Sequence, residues 1–425
     1  MSLYRIICLI SACVCLAVSG SVSAQQPKDT MTGVFDEHIK SLRVTLDGDD
    51  FAPPVIVMNS ADRISVEFDH LSEDRDYFRY SLTHCNANWQ PSGLVDSEFL
   101  DGFNEGMIEN YEYSRATTVH YVHYFLTIPN EEVAPTVSGN YLLQIYREGE
   151  PETLVLQCRF MVSEQTAPMV ADVTTITDRD FNNRHQQVSV SVDTERAGVE
   201  DPFNDIIVMV SQNGRLDNEV ALRQPLRISG KTAVYEHIQS LVFDAGNEYR
   251  RFETVSTDYP GMRVEDIVYS HPYYHFRLAT DYPRASGLYE YDSTQHGRYF
   301  IREFNSTDSD VEADYAVVHF SLDMPEMPGT MVFLDGDFVQ RRFDSNSQMY
   351  YNPSTRRYER AMLLKQGAYN YQYLAVPPGA ASGLTSTIEG DKYQTVNEYL
   401  VKVYHRRRGE RFDRLIGVGA AVSGQ

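Results

Sequence analysis

Alternation with a period of two constrains this chain more than any other feature. Residues 77–85, Y-F-R-Y-S-L-T-H-C, put Phe78, Tyr80, Leu82 and His84 on one face and Arg79, Ser81, Thr83 and Cys85 on the other. A polar turn follows and delivers Trp89, the single tryptophan of the chain. Aromatic side chains serve packing before chemistry, so Tyr80 and Trp89 read as structural, with Trp89 as the anchor of a small β-sandwich core. Similar runs recur at residues 64–68, 117–128, 141–146, 154–162, 187–192, 206–211, 273–278, 315–322 and 399–404, separated by turn residues. No stretch of a dozen residues carries a helical period. The 29 tyrosines favour half-buried strands. The expected fold class is all-β, built as tandem immunoglobulin-like β-sandwich domains.

A length of 425 residues allows roughly two to four domains. Residues 1–24 read as a cleaved signal peptide. Arg5 gives a positive start, residues 6–18 are apolar but short for a bilayer, and Val22-Ser23-Ala24 supplies a cleavage site. Ile10-Ser11-Ala12-Cys13 resembles a lipoprotein box that would place a lipid on Cys13, although few apolar residues precede it. Residues 34–165 are expected to form an N-terminal sandwich and 166–305 a middle β domain. Residues 305–314, acidic and small, read as a linker. Residues 312–425 are expected to form a C-terminal immunoglobulin-like domain that ends in a basic tail. The leader implies that the protein is exported.

Export also bears on the cysteines. Cys8, Cys13 and Cys15 leave with the leader, so Cys85 and Cys158 remain. An oxidising compartment permits a disulfide between them. Parity argues against it, because Cys158 shares a face with Leu156 and Phe160 whereas Cys85 shares one with polar residues.

The formal net charge of −23 repels phosphate backbones, so nucleic acid is excluded as a partner. His120 and His123 fall on opposite faces of a strand and cannot share one metal ion. The acidic turns at 47–50 and 308–314 lack the ligand order of a calcium loop and read as solvated turns. Sixty acidic residues always offer carboxylate pairs, so glycosidase chemistry has no specific signal. No nucleophile elbow, phosphate-binding loop or dinucleotide fingerprint occurs. Neither an enzyme, a cofactor nor a small-molecule substrate is indicated. Arg406, Arg407 and Arg408 form a basic cluster that suits either an acidic partner or a charged sheet edge that discourages aggregation.

Several stretches in order resemble the plug-protein family of the type IX secretion system of Bacteroidetes. They include F-D-H-L from Phe68, Y-S-L-T-H-C-N-A-N-W from Tyr80, E-F-L-D-G-F-N from Glu98, S-G-N-Y-L from Ser138, Q-N-G-R from Gln212, K-Q-G-A-Y-N-Y-Q-Y from Lys365 and T-V-N-E-Y-L-V-K-V-Y from Thr395. The resemblance implies a periplasmic protein that occludes a large outer-membrane translocon barrel when no cargo is engaged, with no catalytic residues. The C-terminal part is also similar to glycogen-binding immunoglobulin-like modules. That similarity supplies an alternative, a glycan-binding protein, with Tyr369, Tyr371 and Tyr373 on one strand face as either a sugar platform or core. The exposed tryptophan such modules use is missing from this region.

Overall fold

The computed structural model describes residues 29–424. The proposed leader and Cys13 lie outside the described residues. The chain is all-β, and its strands form three sandwiches.

The first sandwich holds the opening strand. Phe78–Cys85 sits inside the sheet ordered Gly33–Val34, Glu150–Ser163, Gly139–Arg147, Phe78–Cys85, Gly106–Met107. Ile39–Leu46, Ile64–His70, Val122–Ile128 and Tyr111–Tyr113 form the facing sheet. The expected face of Phe78, Tyr80 and Leu82 points into the core between them, against Phe68, Tyr124 and Phe160. Tyr80 accepts a bond from Asn130 Nδ2 at 2.9 Å through its hydroxyl.

The remaining boundaries differ from the sequence reading. Ile206–Gln212 pairs along its length with Glu398–His405, which pairs in turn with Arg414–Val422. The last two strands therefore complete the middle sandwich. Its core joins Val190, Val208, Tyr235, Tyr399, Val401 and Ile416. The third core runs from Phe252 to Ile388 and includes Tyr299, so a cut at residue 305 would pass through it. The third sandwich is an insertion within the middle one. Its ends meet where Thr395 Oγ1 donates to the Gly246 carbonyl at 3.0 Å. Period-two patterns cannot reveal this, because a strand reads the same whichever sheet accepts it.

Residues 305–314 are not a free linker: they carry the short helix Ser309–Glu312, which docks on the first sandwich where the Tyr121 hydroxyl donates to the Ala313 carbonyl at 2.8 Å and Arg115 pairs with Asp308. The arginine cluster is not a tail. It lies in the hairpin between Glu398–His405 and Arg414–Val422.

Candidate functional site at the domain junctions

Charged and aromatic groups concentrate where the sandwiches meet. Between the first and third, Lys365 Nζ donates to Asp69 at 2.5 Å, and both side chains are 1% exposed. Asp69 also accepts from the Tyr315 hydroxyl at 2.6 Å and bonds His123 Nδ1 at 2.7 Å. Lys365 has a second acceptor, the Asp310 carbonyl at 2.6 Å, and lies over the Tyr121 ring. Burial alone would raise the Asp69 carboxyl; Lys365 and His123 outweigh it and hold the group below its usual range. Sequence reasoning missed this pair. Asp69 stands on the strand face opposite Phe68, which reads as solvent-facing until the third sandwich covers it.

Beside this pair, Glu67, His123 and Asp310 offer ligand atoms close enough to share a metal ion. The Arg43 guanidinium donates to Glu67 and to Asp310. A protein cation thus already sits between the two carboxylates, where a metal ion would have to lie, so the cluster does not fit a resident metal. His120 faces solvent and bonds Glu73 at 2.6 Å. The acidic turn at 308–314 is also engaged. Asp314 accepts the backbone N–H groups of Thr118 and Val119 at 2.8 and 3.0 Å.

Between the first and middle sandwiches, two sheets pack face to face. Cys85, Trp89, Leu142 and Met161 meet Tyr404 and Leu415. Trp89 therefore anchors a junction, not the core of its own sandwich, because the chain leaves its strand at Cys85 and turns outward. Cys85 and Cys158 are free and buried. No disulfide joins them. One strand separates them, and they face different clusters, Cys158 towards the sandwich core and Cys85 towards the junction. The hairpin arginines serve this junction too. Arg406 Nε bonds Asp413 at 2.8 Å and its Nη2 reaches Asn86 at 2.8 Å. Arg411 pairs with Glu98 and Arg414 with Glu164. Arg407 and Arg408 stay exposed.

Within the third sandwich, Tyr369, Tyr371 and Tyr373 are core residues, each at most 1% exposed. The Tyr371 and Tyr373 hydroxyls both donate to Asp281, at 2.6 and 2.8 Å. They cannot stack on a sugar. Arg250 bridges Asp281 at 2.7 Å and Glu389 at 3.0 Å, and Arg284 donates to Glu389 at 2.6 Å. Burial pushes the Glu389 carboxyl up, but Arg250 and Arg284 overcome it and hold the group at about 2.

The folded-state value of Glu389 lies below the ordinary 4.5, so the stabilisation is complete above pH 4.5 and is lost as pH falls towards 2. Its size at neutral pH is about 3 kcal/mol. Glu389→Gln is expected to destabilise the protein at pH 7 and to flatten its loss of stability between pH 5 and 3. Denaturant midpoints measured for both chains across that range check it; parallel curves would refute the assignment.

Three sandwiches, joined by a buried ion pair at one junction and by an apolar cluster at another, define a multidomain β scaffold. Comparisons with known proteins agree on its kind. Residues 39–164 match the sequence model of the type 9 secretion system plug protein 1st domain. A hypothetical protein from Parabacteroides merdae ATCC 43184, solved by crystallography, superposes with a TM-score of 0.91 at 41% identity, covering 92% of this chain and 99% of that one. An alkylpurine DNA glycosylase from Pseudomonas fluorescens aligns over 29% of the chain with a TM-score of 0.16, which carries no argument. No curated protein matches the chain. Residues 39–164 thus carry the first domain of the type IX secretion system plug-protein family.

Proposed function

We propose that this protein is a periplasmic plug that closes the lumen of the secretion system's outer-membrane barrel when no cargo is engaged, and that it is not an enzyme. The observation that carries the reading is the match of the first sandwich to the plug-protein model. The junctions support it mechanically, since a stopper works by bulk and outline and must not flex open.

Scale is consistent with the same role. A compact chain of about 400 residues has a radius of gyration near 21 Å and is roughly 55 Å across. A barrel of about 36 strands, the largest known, with strands roughly 4.8 Å apart and tilted about 40°, measures roughly 70 Å between backbones. Side chains reach about 5 Å inward from each wall, half the spacing of packed sheets, and narrow its lumen to about 60 Å. A body of this size nearly fills such an opening, whereas a single sandwich would not. Arg407 and Arg408, exposed on their hairpin, are candidates for the contact with the barrel; Arg406 is held by Asp413. The glycan-binding alternative loses its tyrosine platform to the core.

Deleting the gene is expected to raise the outer membrane's permeability to bulky hydrophilic antibiotics, read as a fall in their inhibitory concentrations. Unchanged permeability in a strain that still assembles the barrel would overturn the plug reading.

A further inference from the structure

A cavity of about 250 Å³ lies where all three sandwiches meet. Trp89 and Arg159 of the first, Leu400 and Lys402 of the middle, and Tyr299 and Arg341 of the inserted sandwich share its wall. Most cations around it are neutralised. Lys402 pairs with Glu219, Arg341 with Asp335 and Asp337, Arg43 with Glu67 and Asp310, and Arg298 with Glu398. Two acids, Asp50 and Asp337, also line the cavity.

Arg159 differs. Among the described residues, no carboxylate lies within ion-pair distance of its guanidinium. Its Nε and Nη2 donate to the carbonyl and hydroxyl of Thr30 at 2.7 and 3.1 Å, both neutral partners. Its guanidinium lies 4.2 Å from the centroid of the Trp89 ring. Burial lowers its pKa to about 10; Glu219 and Asp29 act against the shift but stand too far off to pair with the guanidinium. Arginine of this kind ordinarily has a carboxylate or phosphate against its fork.

The indole beside it is also incomplete. Trp89 is 6% exposed, yet its Nε1–H has no hydrogen-bond partner. Buried indole N–H groups ordinarily find an acceptor. Trp89 also holds φ at +62°, a left-handed conformation uncommon for a bulky residue. The indole nitrogen itself has no accessible surface, so the group this wall offers a ligand is the Arg159 guanidinium, in a cavity whose other surfaces include Leu42, Pro53 and Met161.

We propose that this junction cavity binds a small apolar carboxylate, its anionic end held by Arg159 beside the Trp89 ring and its apolar body by the facing walls. The volume suits a medium-chain fatty acid more than a drug-sized ligand. Occupancy would tie the three sandwiches together, and any ligand that binds only the folded form raises its melting temperature. The inference does not rest on the plug reading.

The single tryptophan makes the test direct, because selectively excited tryptophan emission reports this cavity alone. The mature, full-length chain would be titrated with octanoate and with octanamide, its uncharged counterpart of equal length. A saturable emission change with octanoate, at least about tenfold weaker with octanamide, is expected from the strength of charge-assisted bonds. Arg159→Gln should abolish the preference and Arg159→Lys should keep part of it. A melting temperature raised by octanoate alone would agree. No response to octanoate, or an equal response to both compounds, overturns the proposal without reference to any variant.

Discussion

A chain ended after residue 395 is expected to lose its middle sandwich, not merely a tail. The missing strands Glu398–His405 and Arg414–Val422 carry Tyr399, Val401, Val403, Tyr404, Leu415 and Ile416, each at most 1% exposed. Burying one such side chain contributes about 1.5–3 kcal/mol, so the six together contribute roughly 9–18 kcal/mol. That matches or exceeds the total stability of about 5–15 kcal/mol typical of a domain. The sheet would keep only Val220–Leu222 and Ile206–Gln212, a pair that is marginal in water. The converse excision should be tolerated. Residue 246 can be joined to residue 396 by a short glycine linker because Gly246 and Thr395 already touch. Solubility, far-ultraviolet dichroism and thermal melting of the two chains decide the matter. A chain ended after residue 395 that still melts cooperatively with an intact middle sandwich would refute the interleaved topology.

Lys365→Met is expected to have the largest effect of any single substitution at the junction of the first and third sandwiches. It leaves Asp69 buried without its cation, and breaking a buried pair from one side costs about 3–5 kcal/mol. Tyr315 and His123 still bond the carboxylate, which places the loss towards the lower end. Adding Asp69→Asn should recover much of the stability, because the double variant buries no net charge at the site. Calorimetry would show the loss as an earlier or split transition, and limited proteolysis should open first at residues 305–314, which the junction holds in place. A single variant that melts and digests like the unaltered chain would show that the pair does not lock the junction.

Much of the architecture is legible in the chain itself. Alternation at residues 77–85 named the core face correctly, since Phe78, Tyr80 and Leu82 all pack inward. Tyr369, Tyr371 and Tyr373 share a face by parity, and that face is core. Where local pattern failed, a second sandwich had changed the environment of a residue without changing its strand. Cys85 reads as solvent-facing among Arg79, Ser81 and Thr83, yet the sheet carrying Tyr404 covers it. Arg159, on the same outward face, becomes the wall of a cavity for that reason. Arg406, Arg411 and Arg414 look like a free basic run and are the pins of a docked hairpin.

The strands, their inward faces and the all-β class were settled by side-chain alternation, because two opposite faces of one strand must meet different solvents. The partner of each sheet was not. Which strand closes the middle sandwich, what covers Asp69 and Lys365, and why Arg159 faces Trp89 depend on contacts between residues hundreds of positions apart. Those contacts are made by outward faces whose polarity looks ordinary until another domain removes the water from them.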